Sequence, residues 1–447
     1  MYSDESWMQE LWDWADKYHI SLPQTREGLL ATSMLTLDDS IFSIETLDEE
    51  CEPILIEPDE DLCIHELPRG IFKLTKLTTL QISKCRFLVT LPASLMKLTD
   101  LSMLELSHCK GLTTLPDSLG ELANLTTLDI SGCSNLAILP DSLGQLANLT
   151  TLNISKCGGL TNLPESLGQL ANLTTLNISK CGGLTNLPDS LGQLANLTMF
   201  DFSGCDNLTS LPDSLGHLTK ITTLNISYCK NLTTLPDNIW QLINLTTLNI
   251  SGCNGLSILP DSLGKLANLT TLNIFGCGNL TAIPESLGQL ANLASLNISG
   301  CGSLTFIPDS LGELSNLTKL VITRCGSLTA LPDSLGQLTN LTTLDISWCN
   351  SLATFPDSLG LLGNLTTLDI SGYYKLTALP DSLGQIANLS RLHVYGCNNL
   401  ITLPDSLGEL ANLTYLDIAG CRSMPALPDN LLRRRKLGKL KINGWHY

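Results

Sequence analysis

The amino-acid sequence predicts an α/β solenoid, a fold in which short repeated units stack along one axis. Three observations predict it. Cysteines recur every 24 residues, a pattern of leucines recurs with them, and 43% of the residues are hydrophobic while only 5% are aromatic. A unit this short cannot bury its apolar side chains alone, but stacked units bury them against one another. We therefore expect one continuous core made mainly of leucine.

The repeat is defined by columns of apolar residues. Its general form is L-x-x-L-x-I-x-x-C-x-x-L-x-x-L-P-x-x-L-x-x-L-x-x, and one unit starts at Leu125. In Leu128-Asp129-Ile130 apolar and polar residues alternate, which is the period of a half-buried strand. Pro140 lacks a backbone N–H and has a fixed φ, so it suits the start of a short helical turn. Each unit is therefore predicted to hold one strand and one turn.

This pattern resembles the leucine-rich-repeat family, with cysteine at a position where many members have asparagine. The match covers residues 71–447 and includes 16 strand segments in register, from Leu80-Gln81-Ile82 to Leu440-Lys441-Ile442. The resemblance implies a horseshoe with a parallel β-sheet on its concave side and helical or 3-10 turns on its convex side. The phrase Cys-x-x-Leu-x-x-Leu-Pro is also similar to the repeats of plant nucleotide-binding disease-resistance receptors.

The cysteine column admits three interpretations. Metal sites need clustered ligands such as C-x-x-C pairs with histidines, and the six histidines follow no matching register. Disulfide scaffolds are typical of small secreted domains that lack a core. We therefore favour a column of buried, reduced thiols that behave as small hydrophobic residues. No metal and no cofactor are expected. Fourteen of the 16 cysteines share the register, which skips one place at Tyr373, and Cys51 and Cys63 lie outside it.

The two ends differ from the repeats. Residues 1–37 are predicted to form a helical cap and an irregular first rung, because Trp7, Leu11 and Trp14 have helical spacing. This segment resembles the N-terminal cap of certain bacterial leucine-rich-repeat proteins. Residues 38–66 are predicted to be an acidic loop, and residues 67–447 the solenoid. The basic C-terminal residues 431–447 are interpreted as an end cap, and contact with an anionic surface is the alternative.

Charge and motifs exclude several functions. The net charge of −18 repels phosphates, so nucleic acid is not expected as a partner. The longest apolar runs are too short for a membrane helix, and the N-terminus has no signal peptide. No G-x-x-x-x-G-K-[ST] loop, nucleophile–base pair or carboxylate dyad stands apart from the repeat. No ubiquitin-ligase domain is seen after the repeats. The sequence therefore predicts no enzymatic activity and a monomeric chain.

The cellular location of the protein is predicted from its cysteines and from its glycosylation sequons. Asn153-Ile-Ser and its equivalents would place glycans on neighbouring strands about 5 Å apart, where they would collide. A secreted, glycosylated protein is therefore disfavoured. We expect a cytoplasmic protein, and delivery into the cytoplasm of a host cell is the alternative.

The predicted function is a protein-interaction scaffold that binds its partner on the concave sheet. An adaptor or regulatory subunit that positions a separate catalytic partner is the alternative. Outward positions are mostly Thr, Asn or Asp, and Ser in the middle of the chain, and larger residues replace them later. Either these larger residues contact the partner, or the terminal repeats have simply drifted. The candidate partner-binding residues are Lys319, Val321, Arg324, Trp348, Arg391, His393, Tyr395 and Tyr415.

Overall fold

A computed structural model describes residues 6–38, the short segments Glu45–Leu47 and Pro53–Leu55, and residues 63–444. The chain divides into two compact units, Met1–Ile221 and Thr222–Tyr447. In both units each repeat supplies one short strand and one turn, as the leucine columns predict.

The first unit begins with two helices. Helix α1, Ser6–Lys17, buries Met8, Leu11 and Ala15, and helix α2, Arg26–Leu30, follows it. Thr25 precedes α2, and its hydroxyl accepts a hydrogen bond from the amide of Gly28, which satisfies a free N–H of the first turn. Helix α1 packs on the turn that contains Gly70, where an added Cβ would lie 2.9 Å from the carbonyl oxygen of Trp7.

The sheet of the first unit is parallel. Strand β1, Met34–Asp38, pairs with β4, Thr79–Ser83, so that Leu35 lies opposite Leu80 and Leu37 opposite Ile82. The segment 38–66, predicted to be an acidic loop, contains an antiparallel pair, β2, Glu45–Leu47, and β3, Pro53–Leu55. Its residues 39–44, 48–52 and 56–62 lie outside the described residues. The remaining strands are β4 Thr79–Ser83, β5 Met103–Glu105, β6 Thr127–Asp129, β7 Thr151–Asn153, β8 Thr175–Asn177 and β9 Met199–Asp201.

The sheet of the second unit is also parallel and keeps the same register. Each inward leucine of one strand lies opposite that of the next, as Leu344 does with Leu368. The strands are β10 Thr223–Asn225, β11 Thr247–Asn249, β12 Thr271–Asn273, β13 Ser295–Asn297, β14 Lys319–Val321, β15 Thr343–Asp345, β16 Thr367–Asp369, β17 Arg391–His393, β18 Tyr415–Asp417 and β19 Lys441–Asn443.

The predicted helical turns are 3-10 turns. Pro140 precedes the turn Asp141–Gln145 with φ −70°, and its carbonyl oxygen accepts from the amide of Leu143 at 3.1 Å. Leu143 and Leu146 are buried in the core, which matches the prediction that they share the inner side of the turn. The turns of the first unit are Arg69–Lys73, Ala93–Lys97, Asp117–Glu121, Asp141–Gln145, Glu165–Gln169, Asp189–Gln193 and Asp213–His217. Those of the second unit are Asp237–Gln241, Asp261–Lys265, Glu285–Gln289, Asp309–Glu313, Asp333–Gln337, Asp357–Leu361, Asp381–Gln385 and Asp405–Glu409.

Polar side chains connect each repeat, which we also call a rung, to the repeat before it. The Asn148 side-chain amide donates to the carbonyl oxygen of Ala123 at 2.8 Å. The hydroxyl of Thr150 donates to the carbonyl oxygen of Thr126 at 3.0 Å. Equivalent bonds recur along both units, each spanning 24 or 25 residues of sequence. Asparagine and threonine are therefore used at these positions to satisfy backbone acceptors of the neighbouring rung.

The periodic cysteines are free thiols, and all but Cys421 are buried. The thiol of Cys157 donates to the carbonyl oxygen of Ile130 at 3.1 Å, one strand earlier, and its equivalents do the same. Burial raises the pKa of Cys157 to about 12 and that of Cys181 to about 11. Where the column skips to Tyr373, the phenol hydroxyl donates to the carbonyl oxygen of Ile346 in the same way.

The residue before each periodic cysteine has a left-handed backbone conformation, with a positive φ. We call these positions the left-handed column. Glycine fills many of them, for example Gly132 at φ +75° and Gly372 at φ +80°. Larger residues fill others, such as Tyr228 at φ +61° and Trp348 at φ +64°. A left-handed conformation costs a residue with a Cβ roughly 1–2 kcal/mol. These larger residues therefore carry backbone strain that glycine would not.

Helix α3, Asp429–Lys436, carries an arginine that bonds to the preceding repeat. The Arg434 guanidinium donates to the carbonyl oxygens of Ala411 at 3.1 Å and Leu413 at 2.8 Å, and also to those of Gly408 and Leu410. Among these carbonyls, that of Ala411 corresponds to the one that an asparagine amide bonds in earlier repeats, as Asn412 bonds Ala387. The basic C-terminal segment thus contains a side chain that satisfies backbone acceptors of the preceding repeat.

Candidate interaction surface

We call the outward side chains of the strands of a unit its strand face. On the strand face of the first unit, polar side chains form hydrogen bonds with one another and with nearby backbone amides. The Asn153 amide donates to the Asp129 carboxylate at 2.8 Å, and its oxygen accepts from the amide of Ser155 at 3.2 Å. Asn177 accepts from Ser179 in the same way. A partner would have to replace these bonds, so this part of the face offers little net binding energy.

The strand face of the second unit carries the candidate residues in separate groups. Lys319 is exposed and Val321 half-buried on β14, and Arg324 follows in the left-handed column at φ +57°. Strand β17, with Arg391 and His393, lies three strands further on, which is about 14 Å at the usual spacing. The candidates on β14 therefore do not touch those on β17.

A second group forms around β17 and β18. The rings of His393 and Tyr415 lie 5.3 Å apart, and the ammonium of Lys441 lies 6.0 Å from the centre of the Tyr415 ring. Arg391 is exposed beside them, and Tyr395 lies just beyond the end of β17 with 48% of its surface exposed. These five side chains put aromatic and cationic groups together, and such residues commonly dominate binding energy.

Carboxylates line the same face. Asp345 and Asp369 lie opposite each other in the register of β15 and β16, and Asp417 follows on β18. Burial raises the pKa of Asp345, against the hydrogen bonds from Ser347 that lower it, and the nearby Asp369 raises it further. None of these three carboxylates forms an ion pair with a side chain in the described part of the chain. His393 lies opposite Asp369 in the register of β16 and β17, and its electrostatic interaction lowers the pKa of Asp345.

The sequence did not single out Tyr374, which completes an aromatic cluster. Its ring lies 6.3 Å from that of Trp348 in an edge-to-face arrangement. Trp348 lies over Gly372, where an added Cβ would be 2.4 Å from the indole ring. Tyr228 and Phe275, both exposed, lie at the same ends of earlier strands. The signal available in the sequence was an aromatic residue in columns that hold mostly glycine, asparagine and basic residues.

The described residues also bear on metal binding and on membrane insertion. They contain no group of three His, Cys, Asp or Glu side chains placed to hold a metal ion. None of the helices described is both long and apolar enough to span a membrane.

Comparison with known proteins agrees with this architecture. The family model for a leucine-rich repeat region matches residues 60–156, 128–235 and 224–354, together more than half of the chain. A search of curated proteins found no significant match.

Solved structures are similar over most of the chain. A leucine-rich-repeat protein of Leptospira interrogans is 32% identical, with a TM-score of 0.70, over 85% of this chain and 93% of that one. The functional domain of InlJ from Listeria monocytogenes, which includes a cysteine ladder, is 21% identical with a TM-score of 0.57, over 88% of this chain and 74% of that one. The Toll–Spätzle complex of Drosophila gives 23% identity and a TM-score of 0.65, over 79% of this chain and 49% of that one. The repeat columns, the parallel strands with their 3-10 turns, and these matches together place the chain in the leucine-rich-repeat family.

Proposed function

We propose that this chain is a non-catalytic scaffold that binds a protein partner on the strand face of β14–β18. Leucine-rich repeats in general serve as interaction scaffolds, because stacked repeats present an extended surface. The observation that carries the proposal is the group of large exposed side chains around β17. Arg391 and Tyr395 are exposed there, whereas the hydrogen bonds of the strand face occur in both units, from Asn153 to Asp129 and from Asn443 to Asp417.

The experiment compares two double variants. Affinity capture with the whole chain, followed by mass spectrometry, first identifies a partner, and the partner's dissociation constant is then measured. Replacing Arg391→Ala together with Tyr395→Ala is expected to weaken binding at least about tenfold, which needs only ~1.4 kcal/mol. Both side chains are exposed, so the melting temperature should stay the same.

The matched control changes the strand face of the first unit. Thr175→Ala together with Asn177→Ala removes two outward side chains from β8 and should leave the affinity nearly unchanged. If the control pair weakens binding more than the Arg391 and Tyr395 pair, the partner binds the middle strands. The large residues of β14–β18 would then be drift between repeats.

We also propose that the protein works in a reducing compartment, the cytoplasm of its own cell or that of a host. This proposal is supported by the column of free thiols, in which Cys133, Cys157 and Cys181 are completely buried. Such thiols need no oxidising environment. Fractionation of cells that express the tagged chain tests it, and recovery mainly in a secreted, glycosylated form would contradict it.

A further inference from the structure

We propose that a groove across three 3-10 turns of the first unit, here called the turn groove, binds a linear polyamine whose protonated amino groups are three methylenes apart. The turn groove crosses the turns Asp141–Gln145, Glu165–Gln169 and Asp189–Gln193 and has a volume of about 610 Å³. This inference goes beyond the proposed function, because the groove is formed by turns and contains no residue of the strand face.

A row of carboxylates gives the turn groove a negative charge. The successive turns in this part of the chain each begin with an acidic residue, namely Asp117, Asp141, Glu165, Asp189 and Asp213. Asp141 and Glu165 are exposed and line the groove, and neither forms an ion pair with a side chain of the described residues. Like charges on neighbouring repeats repel one another, so a bound cation would stabilise the row.

Serine hydroxyls without partners also line the turn groove. They belong to Ser142, Ser166 and Ser190, and each of these hydroxyl oxygens is buried and has no hydrogen-bond partner within the described part of the chain. Ser190 as a whole is only 8% exposed. A buried hydroxyl that lacks a partner is unfavourable. Independently of the carboxylates, these oxygens therefore point to a ligand that can form hydrogen bonds with them.

Carboxylates beside hydroxyls fit a protonated amine better than a metal ion. The described residues hold no group of three His, Cys, Asp or Glu side chains placed to bind a metal ion. A protonated secondary amine carries one positive charge and two N–H donors. The Glu165 carboxylate accepts a hydrogen bond from the backbone amide of Ser190 at 3.2 Å, so this carboxylate lies close to the Ser190 side chain. One N–H of an amine can therefore donate to Glu165 and the other to the hydroxyl oxygen of Ser190.

The spacing of the repeats selects the spacing of the amines. Neighbouring turns pack directly on one another, since an amide of one turn donates to a carboxylate of the turn before it. Their carboxylates therefore recur at close to the spacing of the strands, which is ~4.8 Å. Two amino groups separated by three methylenes lie about 5 Å apart, because four bonds of ~1.5 Å join them in a zigzag chain. Side chains on one face of an extended peptide recur only every ~6.8 Å, so a lysine-rich strand would not match the row.

The sequence places the turn groove at one point of the solenoid. The turns that begin at Asp141, Glu165 and Asp189 are three successive turns that all end in glutamine. Elsewhere other residues interrupt this column, as His217 and Lys265 do. The ends of these glutamines supply amide oxygens, which are further acceptors for N–H groups. Three equal turns thus offer the same set of acceptors to successive amines.

The experiment uses the full chain and norspermine, a linear tetraamine with three methylenes between successive amines. Binding is measured by isothermal titration calorimetry at low ionic strength, where exposed charges are least screened. A linear tetraamine with six methylenes between its amines carries at least the same charge at a wider spacing, and we expect it to bind at least about fivefold more weakly. Hydrogen exchange with saturating norspermine should show slower exchange in residues 141–193 and no change in helix α1.

Two variants test the two rows of acceptors. Asp141→Asn together with Glu165→Gln should weaken norspermine at least about threefold, because two ion pairs are lost. Glu10→Gln together with Asp16→Asn is the matched control, since it removes one Asp and one Glu from the exposed side of α1 and should leave the affinity unchanged. Ser190→Ala should weaken norspermine at least about twofold without lowering the melting temperature, because the hydroxyl has no partner in the free protein.

Three results would overturn the inference. The first is equal affinity for the two tetraamines, which would show that charge alone attracts them. The second is an equal loss of affinity in the Asp141 and Glu165 pair and in its control on α1. The third is tighter binding of a hexalysine peptide than of norspermine with the same dependence on Asp141 and Glu165, which would indicate a surface for a basic protein.

Discussion

The carbonyl oxygen of Ser166 lies 2.4 Å from the point where a Cβ on Gly144 would stand. Gly168 and Ser190 repeat this relationship one rung further on, also at 2.4 Å. The Ser-Leu-Gly phrase of most 3-10 turns therefore has a packing cause. Its glycine leaves the space that the backbone of the next turn occupies, and a larger residue would push the two turns apart.

Replacing Gly144→Ala should therefore lower the free energy of unfolding by about 1–3 kcal/mol, because the obstructing atom belongs to the backbone and cannot rotate away. Gly158→Ala is the control, since nothing lies within 4 Å of its added Cβ. It should leave stability unchanged or raise it by up to about 1 kcal/mol. Urea unfolding followed by circular dichroism measures both, and an equal effect of the two variants would contradict the packing explanation.

Tyr373→Phe should destabilise the protein by about 1–3 kcal/mol, because the carbonyl oxygen of Ile346 then loses its buried donor. The ring itself remains, together with its edge-to-face contact with Phe355 at 5.2 Å. Tyr395→Phe, at an exposed ring, serves as the control and should shift the melting temperature very little. Equal melting temperatures for the Tyr373 variant and the unchanged protein would show that the hydroxyl contributes nothing.

Arg434→Gln should loosen the C-terminal end of the second unit. The guanidinium donates to four backbone carbonyls, and a hydrogen bond from a charged donor contributes about 1.5–3 kcal/mol. We expect faster amide hydrogen exchange in β18 and β19 while β10 and β11 exchange as before. Arg433→Gln, at an exposed neighbour, changes the charge equally and should leave exchange in β18 unaltered. Uniformly faster exchange in all four strands would argue against a local cap.

The thiol column should make the protein sensitive to alkali. Burial raises the pKa of Cys181 and Cys277 to about 11, and that of Cys301 and Cys397 to about 12, from the ordinary value of 9.0. The unfolded chain releases these protons above pH 9 while the folded chain holds them. This source of stability is complete below pH 9 and is lost as the pH rises towards 11 and 12.

Urea midpoints measured between pH 7 and 11 test the alkaline prediction, and a midpoint that stays constant above pH 9 would refute it. Thiol labelling gives an independent check. At neutral pH the half-buried Cys421 should react before the fully buried Cys133 and Cys157.

Strand positions were predictable because each depends on a local rule. Leu128 and Ile130 alternate with Asp129, and all three lie as the alternation requires, with the apolar pair fully buried. Pro140 marks the start of the turn for an equally local reason, its fixed φ. The same rules repeat in every unit, so the strand position predicted in one repeat is supported by the positions predicted in all the others.

The contacts of the candidate surface were not predictable in the same way. The edge-to-face contact of Trp348 with Tyr374 depends on the left-handed backbone at Trp348 and on the space above Gly372. The spacing of apolar residues in the sequence reveals neither this backbone conformation nor this space. The sequence predicts an end cap at residues 431–447 but not the bonds of Arg434, because its four acceptors lie 21–26 residues earlier in the sequence.

The bonds that Asn148 and Thr150 make to the previous rung connect each repeat only to its neighbour. A whole repeat of 24 residues can therefore be added or removed while the bonds between neighbouring repeats keep the same pattern. Residues 149–172 and 173–196 differ only at Glu165 and Asp189, so deleting one of these segments joins surfaces that already fit. Such a deletion would shorten the first unit by one strand without creating a new junction. Unequal recombination between these two segments would change the number of repeats by one and keep the 24-residue step.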